Sequence, residues 1–366
     1  MKYPALITLP EALARLPSFD AVIDVRSPAE FALDHLPGAI NCPVLDDEER
    51  VRVGTMYKQV NAFEAKKLGA ALVARNIAHH IDTAFAGHGR HWQPLLYCWR
   101  GGNRSGAMAL ILAKIGWPAL QLDGGYRFFR HHVNAELAVL PARFDFRVVC
   151  GTTGSGKSRL LQHLAMLGAQ VLDLEALAEH RGSVLGILPG APQPSQKMFE
   201  SRIWRALSAF DPQRPVFIEA ESRKVGNLRV PALLIDTMRA ASCIAVSLPQ
   251  SQRVALLMSD YAHFVTLPES LNKQLECLLP QHGRQVIGRW QQMALAGEMP
   301  TLVGELLSSH YDPAYLKSIE RNFDRHAQAM SLQLPDISGG AFDLAARQLL
   351  RQVEPSALLA THHEPD

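Results

Sequence analysis

Two stretches of this 366-residue chain combine residue types that do chemistry. The first is Cys98-Trp99-Arg100-Gly101-Gly102-Asn103-Arg104-Ser105, which follows the apolar run Leu95-Leu96-Tyr97 and precedes a helical pattern over 105–115. Turn N–H groups, a helix N-terminus and two guanidinium groups put one positive field around the thiol. That field favours the thiolate and also an incoming oxyanion. Cys98 is the candidate nucleophile, with Arg100, Gly101, Gly102, Arg104 and Ser105 as its anion-binding surround. The second stretch is Gly151-Thr152-Thr153-Gly154-Ser155-Gly156-Lys157-Ser158, a complete P-loop between a strand pattern and a helix pattern. Backbone N–H groups along Gly151, Gly154, Ser155 and Gly156 suit phosphate oxygens. Lys157 reaches a terminal phosphate, and Ser158 is placed to hold Mg²⁺. Glu219 and Glu221 follow a later strand pattern, where P-loop proteins commonly keep a metal-associated or water-positioning acid.

The elements around these loops alternate. Strand patterns over 21–25, 39–41, 95–98 and 119–122 are separated by helical spacing, notably 46–75 and 105–115. After Leu140-Pro141 a second set begins, with strands over 144–150, 170–174, 216–220 and 243–248 and a helix over 197–210. Alternation of this kind predicts α/β folds with parallel sheets, whose ligands sit at the carboxyl ends of strands. From Ser251 onward helical signals take over, and the tail 361–366 is expected to be disordered. The predicted domains are 12–136 and 143–355, the second with a mainly helical C-terminal part.

Bulk composition bounds the rest. Lys and Arg number 37 against 35 Asp and Glu, with no basic block, so nucleic-acid binding must use a folded patch. Five scattered cysteines without paired spacing argue against a disulfide framework or a zinc site. Cys42, Cys150, Cys243 and Cys277, each in or beside an apolar run, read as structural. No run approaches the roughly 18 to 20 apolar residues of a membrane span, and Met1-Lys2-Tyr3-Pro4 has no signal-peptide pattern. The expectation is a cytoplasmic protein with no membrane contact.

Asp24-Val25-Arg26-Ser27-Pro28-x-Glu30-Phe31, His35-Leu36-Pro37-Gly38-Ala39-Ile40-Asn41, the Cys98 loop and Leu122-Asp123-Gly124-Gly125-Tyr126 occur in this order. Together they resemble the rhodanese family. Five residues separate Cys98 from Arg104, a spacing similar to that of tyrosine-phosphatase-type enzymes, where common rhodaneses have one fewer. Joined to the P-loop, and with Val53-Gly54-Thr55-x-Tyr57-Lys58, Glu179-His180-Arg181-Gly182-Ser183, Glu219-x-Glu221-Ser222-Arg223 and Tyr311-Asp312-Pro313-x-Tyr315, the whole chain resembles the tRNA 2-selenouridine synthase family. The resemblance implies a selenotransferase acting on wobble 2-thiouridine of tRNA, with selenophosphate as donor and selenophosphate synthetase as its source. It also implies geranyl diphosphate as co-substrate and an S-geranyl-2-thiouridine intermediate. Cys98 would then attack selenium and carry a selanyl group, while the P-loop cradles the diphosphate, with Mg²⁺ as an optional companion.

Blander readings apply to other residues. Asp24 and Arg26 read as a buried ion pair shaping a strand end, His35 as scaffold, and Arg202 with Arg205 as a solvated helix face. Two rival functions follow from the same loops: a phosphatase built on the Cys98 to Arg104 spacing, and a P-loop kinase with a rhodanese partner domain. The phosphatase needs an acid for its leaving oxygen, and the loop supplies none.

Overall fold

A computed structural model describes residues 4–100, 102–183, 186 and 192–353, so Gly101 and the tail 361–366 lie outside the described residues. The chain divides into two units, Met1–Glu136 with Pro194–Ser201, and Leu137–Gln193 with Arg202–Asp366.

The first unit is built on strands β1 (Ala5–Ile7), β2 (Ala21–Asp24), β3 (Ala39–Asn41), β4 (Pro94–Tyr97) and β5 (Leu120–Leu122), in the order β1-β5-β4-β2-β3. Every pairing is parallel. β4 occupies the centre and is buried along its whole length, which is why its sequence is a continuous apolar run rather than an alternating one. Helix Asn103–Ile115 leaves its end and seals one face through Met108, Ala109 and Leu112 against Ile23 and Leu96. The helical spacing over 46–75 resolves into two helices, Asp47–Gln59 and Ala62–Asp82. Asn61 ends the continuity, because its side chain accepts from the N–H groups of Phe63 and Glu64 and so caps a new helix.

The second unit carries β6 (Phe146–Cys150), β7 (Gln170–Leu172), β8 (Val216–Glu219), a small antiparallel pair β9 (Lys224–Val225) and β10 (Leu228–Arg229), β11 (Ser242–Ser247) and β12 (Met330–Gln333). Its main sheet runs β12-β11-β6-β8-β7, all parallel, with β6 in the middle. Helices Lys157–Met166 and Gly339–Val353 cover it through Leu160, Leu161, Leu164, Phe342, Ala346 and Leu349. Between β11 and β12 the chain is helical and forms its own core around Leu275, Trp290 and Leu302. The architecture is thus the expected pair of parallel α/β sheets with a helical C-terminal region. Two edge strands depart from the expected pattern. β1 and β12 each have one partner, and only one residue in each is buried, so neither has the apolar signature of an inner strand.

Candidate functional site

Cys98 stands just past the C-terminal end of the central strand β4, on the floor of the loop, 4% exposed. Burial pushes its thiol up, but hydrogen bonds from the Ser105 hydroxyl and from the N–H groups of Ser105, Gly102 and Arg100 outweigh that and hold it below the usual thiol value. Ser105 Oγ lies 3.3 Å from the sulfur, and Gln121 Nε2 donates to the same Oγ at 3.2 Å. Burial does not make this an ordinary core cysteine, because the donors converge on it.

Arg104 is half-buried and held by Glu30, with Nη1 to Oε2 at 2.7 Å and Nη2 to Oε1 at 3.3 Å. Glu30 also takes Arg50 at 2.8 Å and accepts from Ser27 N–H, closing a capping box at the start of helix Pro28–Leu33. Burial would raise the Glu30 carboxyl, but Arg104 and Arg50 bring it down to about 2. Arg100 is exposed at the rim beside Trp99. The Asp24–Arg26 pair is buried at 2.5 Å, with Arg26 lying over the Tyr126 ring. His35 stacks on Phe31, which is a scaffold role.

In the second unit the P-loop follows the central strand β6 and leads into helix Lys157–Met166. Gly156 has φ +87°, and a Cβ there would meet the Phe342 ring at 2.7 Å, so glycine is required on both counts. Lys157 Nζ donates to the Gly151 carbonyl at 2.7 Å and the Thr152 carbonyl at 3.3 Å, within the cradle itself. Gly151 N–H donates to Tyr315 Oη at 2.6 Å, and the Tyr315 ring lies 5.5 Å from Lys157 Nζ. Arg253 clamps the loop from the other side. It donates to the Thr153 carbonyl and pairs with Asp312 at 2.6 Å.

Glu221 lines this cleft together with Asp173 and Glu175, which sequence reasoning missed, while Glu219 is buried behind them. Ser158 Oγ donates to Glu175 Oε2 at 3.2 Å, and Glu175 N–H donates to Glu219 Oε1 at 2.9 Å. Glu219 Oε2 is buried without a hydrogen-bond partner, and burial raises its carboxyl well above the usual range. Burial and the neighbouring Glu175 push Glu221 up to about 8. A Cβ on Gly182 would lie 2.5 Å from Glu175 Oε1 and 2.6 Å from Glu221 Oε1, so the glycine makes room for the convergence of these two carboxyls. These oxygens are of the kind Mg²⁺ takes. Among the described residues, however, no group of three or more His, Cys, Asp or Glu is arranged to hold a metal ion.

Beside the P-loop cleft lies a second, smaller cavity of about 60 Å³ with a nearly all-apolar lining, including Leu257, Met258, Phe264, Met299, Val303 and Leu306. Thr153, Ser183, Tyr261 and Tyr311 line both. Phosphate-binding groups and an apolar slot therefore share one mouth. Sequence reasoning did not find the slot, because its walls come from helices far apart in the chain whose apolar faces read as ordinary core.

Of the other cysteines, Cys42, Cys150 and Cys243 are buried, whereas Cys277 is exposed. Arg202 pairs with Glu179 at 2.8 Å rather than standing as a purely solvated face, and Arg205 is exposed.

A cysteine in a donor-lined loop on one parallel sheet, and a P-loop on another, define a rhodanese-type domain joined to a P-loop domain. A rhodanese-like domain model matches residues 8–132, and a tRNA 2-selenouridine synthase AAA domain model matches 144–276. The chain is 31% identical to a tRNA 2-selenouridine synthase of Bdellovibrio bacteriovorus over 82% of its own length and 89% of that protein. It is also 31% identical to one of Aeromonas salmonicida, over 83% and 88%. The chain belongs to the tRNA 2-selenouridine synthase family. Among the described residues no helix is long and apolar enough to cross a membrane.

Proposed function

We propose that this chain is a tRNA-modifying transferase that replaces the sulfur of wobble 2-thiouridine with selenium in two chemically separate halves. Relatives matched over most of their length carry the name of that activity. A thiocarbonyl sulfur is a poor leaving group, so it is first alkylated by geranyl diphosphate. The C–S bond forms at the allylic carbon, the C–O bond to diphosphate breaks, and the uridine N3 loses its proton. Selenide then adds at C2 and the geranyl thiolate leaves. Selenophosphate, supplied by a selenophosphate synthetase, is the selenium donor. Cys98 is the nucleophile of that half. The tRNA substrate places the enzyme in the cytoplasm.

The observation that carries this reading is the shared mouth of P-loop and apolar slot. A diphosphate with an aliphatic tail matches it: Gly154, Gly156, Lys157 and Ser158 line the cleft for the charged end, and the slot takes the tail. A nucleotide base has polar edges that this lining does not meet. Selenophosphate arrives already activated, so nucleotide hydrolysis is not required.

Nucleoside mass spectrometry of tRNA from cells carrying single variants tests the division. Cys98→Ser is expected to abolish selenouridine while leaving S-geranyl-2-thiouridine, and Lys157→Ala to lose both. Normal selenouridine in the Cys98→Ser cells would refute the assignment.

A further inference from the structure

We propose that Cys98 opens selenophosphate by attacking phosphorus, so that the enzyme passes through an S-phosphocysteine and selenium departs as hydrogen selenide. This rests on selenophosphate being the donor, and it replaces the expected S–Se bond on Cys98 with an S–P bond.

The electron count favours phosphorus. Selenium in selenophosphate is already at the selenide level, bonded to phosphorus(V). If the thiolate attacked selenium, the S–Se bond would form as the P–Se pair stayed with phosphorus, and phosphite would leave. Release of phosphate by that route would need an oxidant. Attack at phosphorus needs none: the S–P bond forms, the P–Se pair leaves with selenium, and hydrogen selenide is available for C2. Water then adds to phosphorus, the S–P bond breaks back to the Cys98 thiolate, and phosphate leaves with the water's oxygen. Nothing is oxidised or reduced.

The loop is built for this substitution. Five residues between Cys98 and Arg104 make the turn long enough to bring the N–H groups of Arg100, Gly102 and Ser105 to the sulfur. Arg104 gives Glu30 one N–H from each terminal nitrogen, which leaves its other N–H groups uncommitted to Glu30 and able to serve a phosphoryl oxygen. Glu30 fixes the guanidinium plane, as bidentate pairing does. Ser105 serves the second step, in which sulfur must leave phosphorus as a thiolate. Its hydroxyl lies 3.3 Å from Sγ, and the Gln121 amide donating to Ser105 Oγ turns the hydroxyl proton toward sulfur. The lack of a carboxylic acid in 98–105, which disfavours hydrolysis of ordinary phosphate esters, is no obstacle here. Hydroselenide, HSe⁻, is a weak base and leaves without taking a further proton.

The test supplies the full chain with selenophosphate carrying radiophosphorus or, in parallel, radioselenium, together with tRNA bearing S-geranyl-2-thiouridine. Samples are quenched rapidly and the Cys98 peptide is isolated. Ser105→Ala is expected to slow thiolate departure and to accumulate phosphorus label on that peptide, with no selenium label. Cys98→Ser should carry neither. Phosphorus NMR of the wild-type reaction should show phosphate alone, and this readout, with the wild-type quench, decides the matter if Ser105→Ala does not fold. Selenium without phosphorus on Cys98, phosphite as product, or neither label on Cys98 while selenouridine forms would each overturn the proposal. Failure of wild type to form selenouridine from selenophosphate would instead overturn the donor reading, and the proposal with it.

Discussion

Glu30 is the residue on which the thiol loop's charge arrangement turns. Its carboxyl lies at about 2 in the folded chain against an ordinary 4.5, because Arg104 and Arg50 outweigh the cost of burial. Between those values the folded state binds fewer protons than the unfolded one, so this contribution is complete above about 4.5 and lost as pH falls through about 2. Glu221 carries the opposite sign. Burial and Glu175 raise it to about 8, so from about 4.5 to about 8 the folded state binds the extra proton and its stability falls as pH rises. Urea unfolding across pH is expected to show Glu30→Gln losing stability most at neutral pH and flattening the acid limb, with Glu221→Gln gaining stability toward pH 8. If Glu221→Gln left the alkaline limb unchanged, the shared burial of Glu175 and Glu221 would not govern that limb. Glu30→Gln is also expected to free Arg104 and slow the selenium half-reaction without affecting geranylation.

Among the elements, the inner strands were legible because they are buried on both faces and therefore read as apolar runs; β4 and β6, which end at the two loops, are the clearest. The edge strands β1 and β12 were not, since one-sided pairing leaves them with a mixed pattern. The loops themselves were legible as residue types in sequence: Cys98 follows β4, Lys157 and Ser158 open a helix, and Glu219 ends β8. Partners drawn from distant parts of the chain were not. Glu30 on Arg104, Asp312 through Arg253 on the P-loop, and Tyr315 on Gly151 depend on tertiary packing that no local spacing encodes. Gly156 shows how an element and a site constrain one residue together. Its positive φ directly precedes helix Lys157–Met166, and its bare Cα admits the Phe342 ring of helix Gly339–Val353. Gly156→Ala is expected to cost about 1–3 kcal/mol in urea unfolding and to abolish geranylation first. A variant as stable as wild type would show that the ring yields easily.

For the whole molecule, the proposed division of the chemistry between two units predicts that each half can be altered alone. The apolar slot gives the sharpest handle on the second unit, because on that proposal its walls would set the length and shape of the tail while the P-loop takes the charge. Val303 is half-buried on that wall and does not belong to the phosphate cradle. Val303→Phe should shorten the slot without touching Lys157 or Ser158. In hydrophobic pockets, methylene-scale misfit is worth about 1–3 kcal/mol, or roughly 10- to 200-fold. The expected result is a rise of that order in KM for geranyl diphosphate, a relative gain for dimethylallyl diphosphate, and unchanged affinity for inorganic diphosphate. Selenation of tRNA already carrying S-geranyl-2-thiouridine should proceed at the wild-type rate, since that half uses Cys98. An equal loss for long- and short-tailed diphosphates would remove the slot from substrate selection and leave the P-loop as a phosphate site alone.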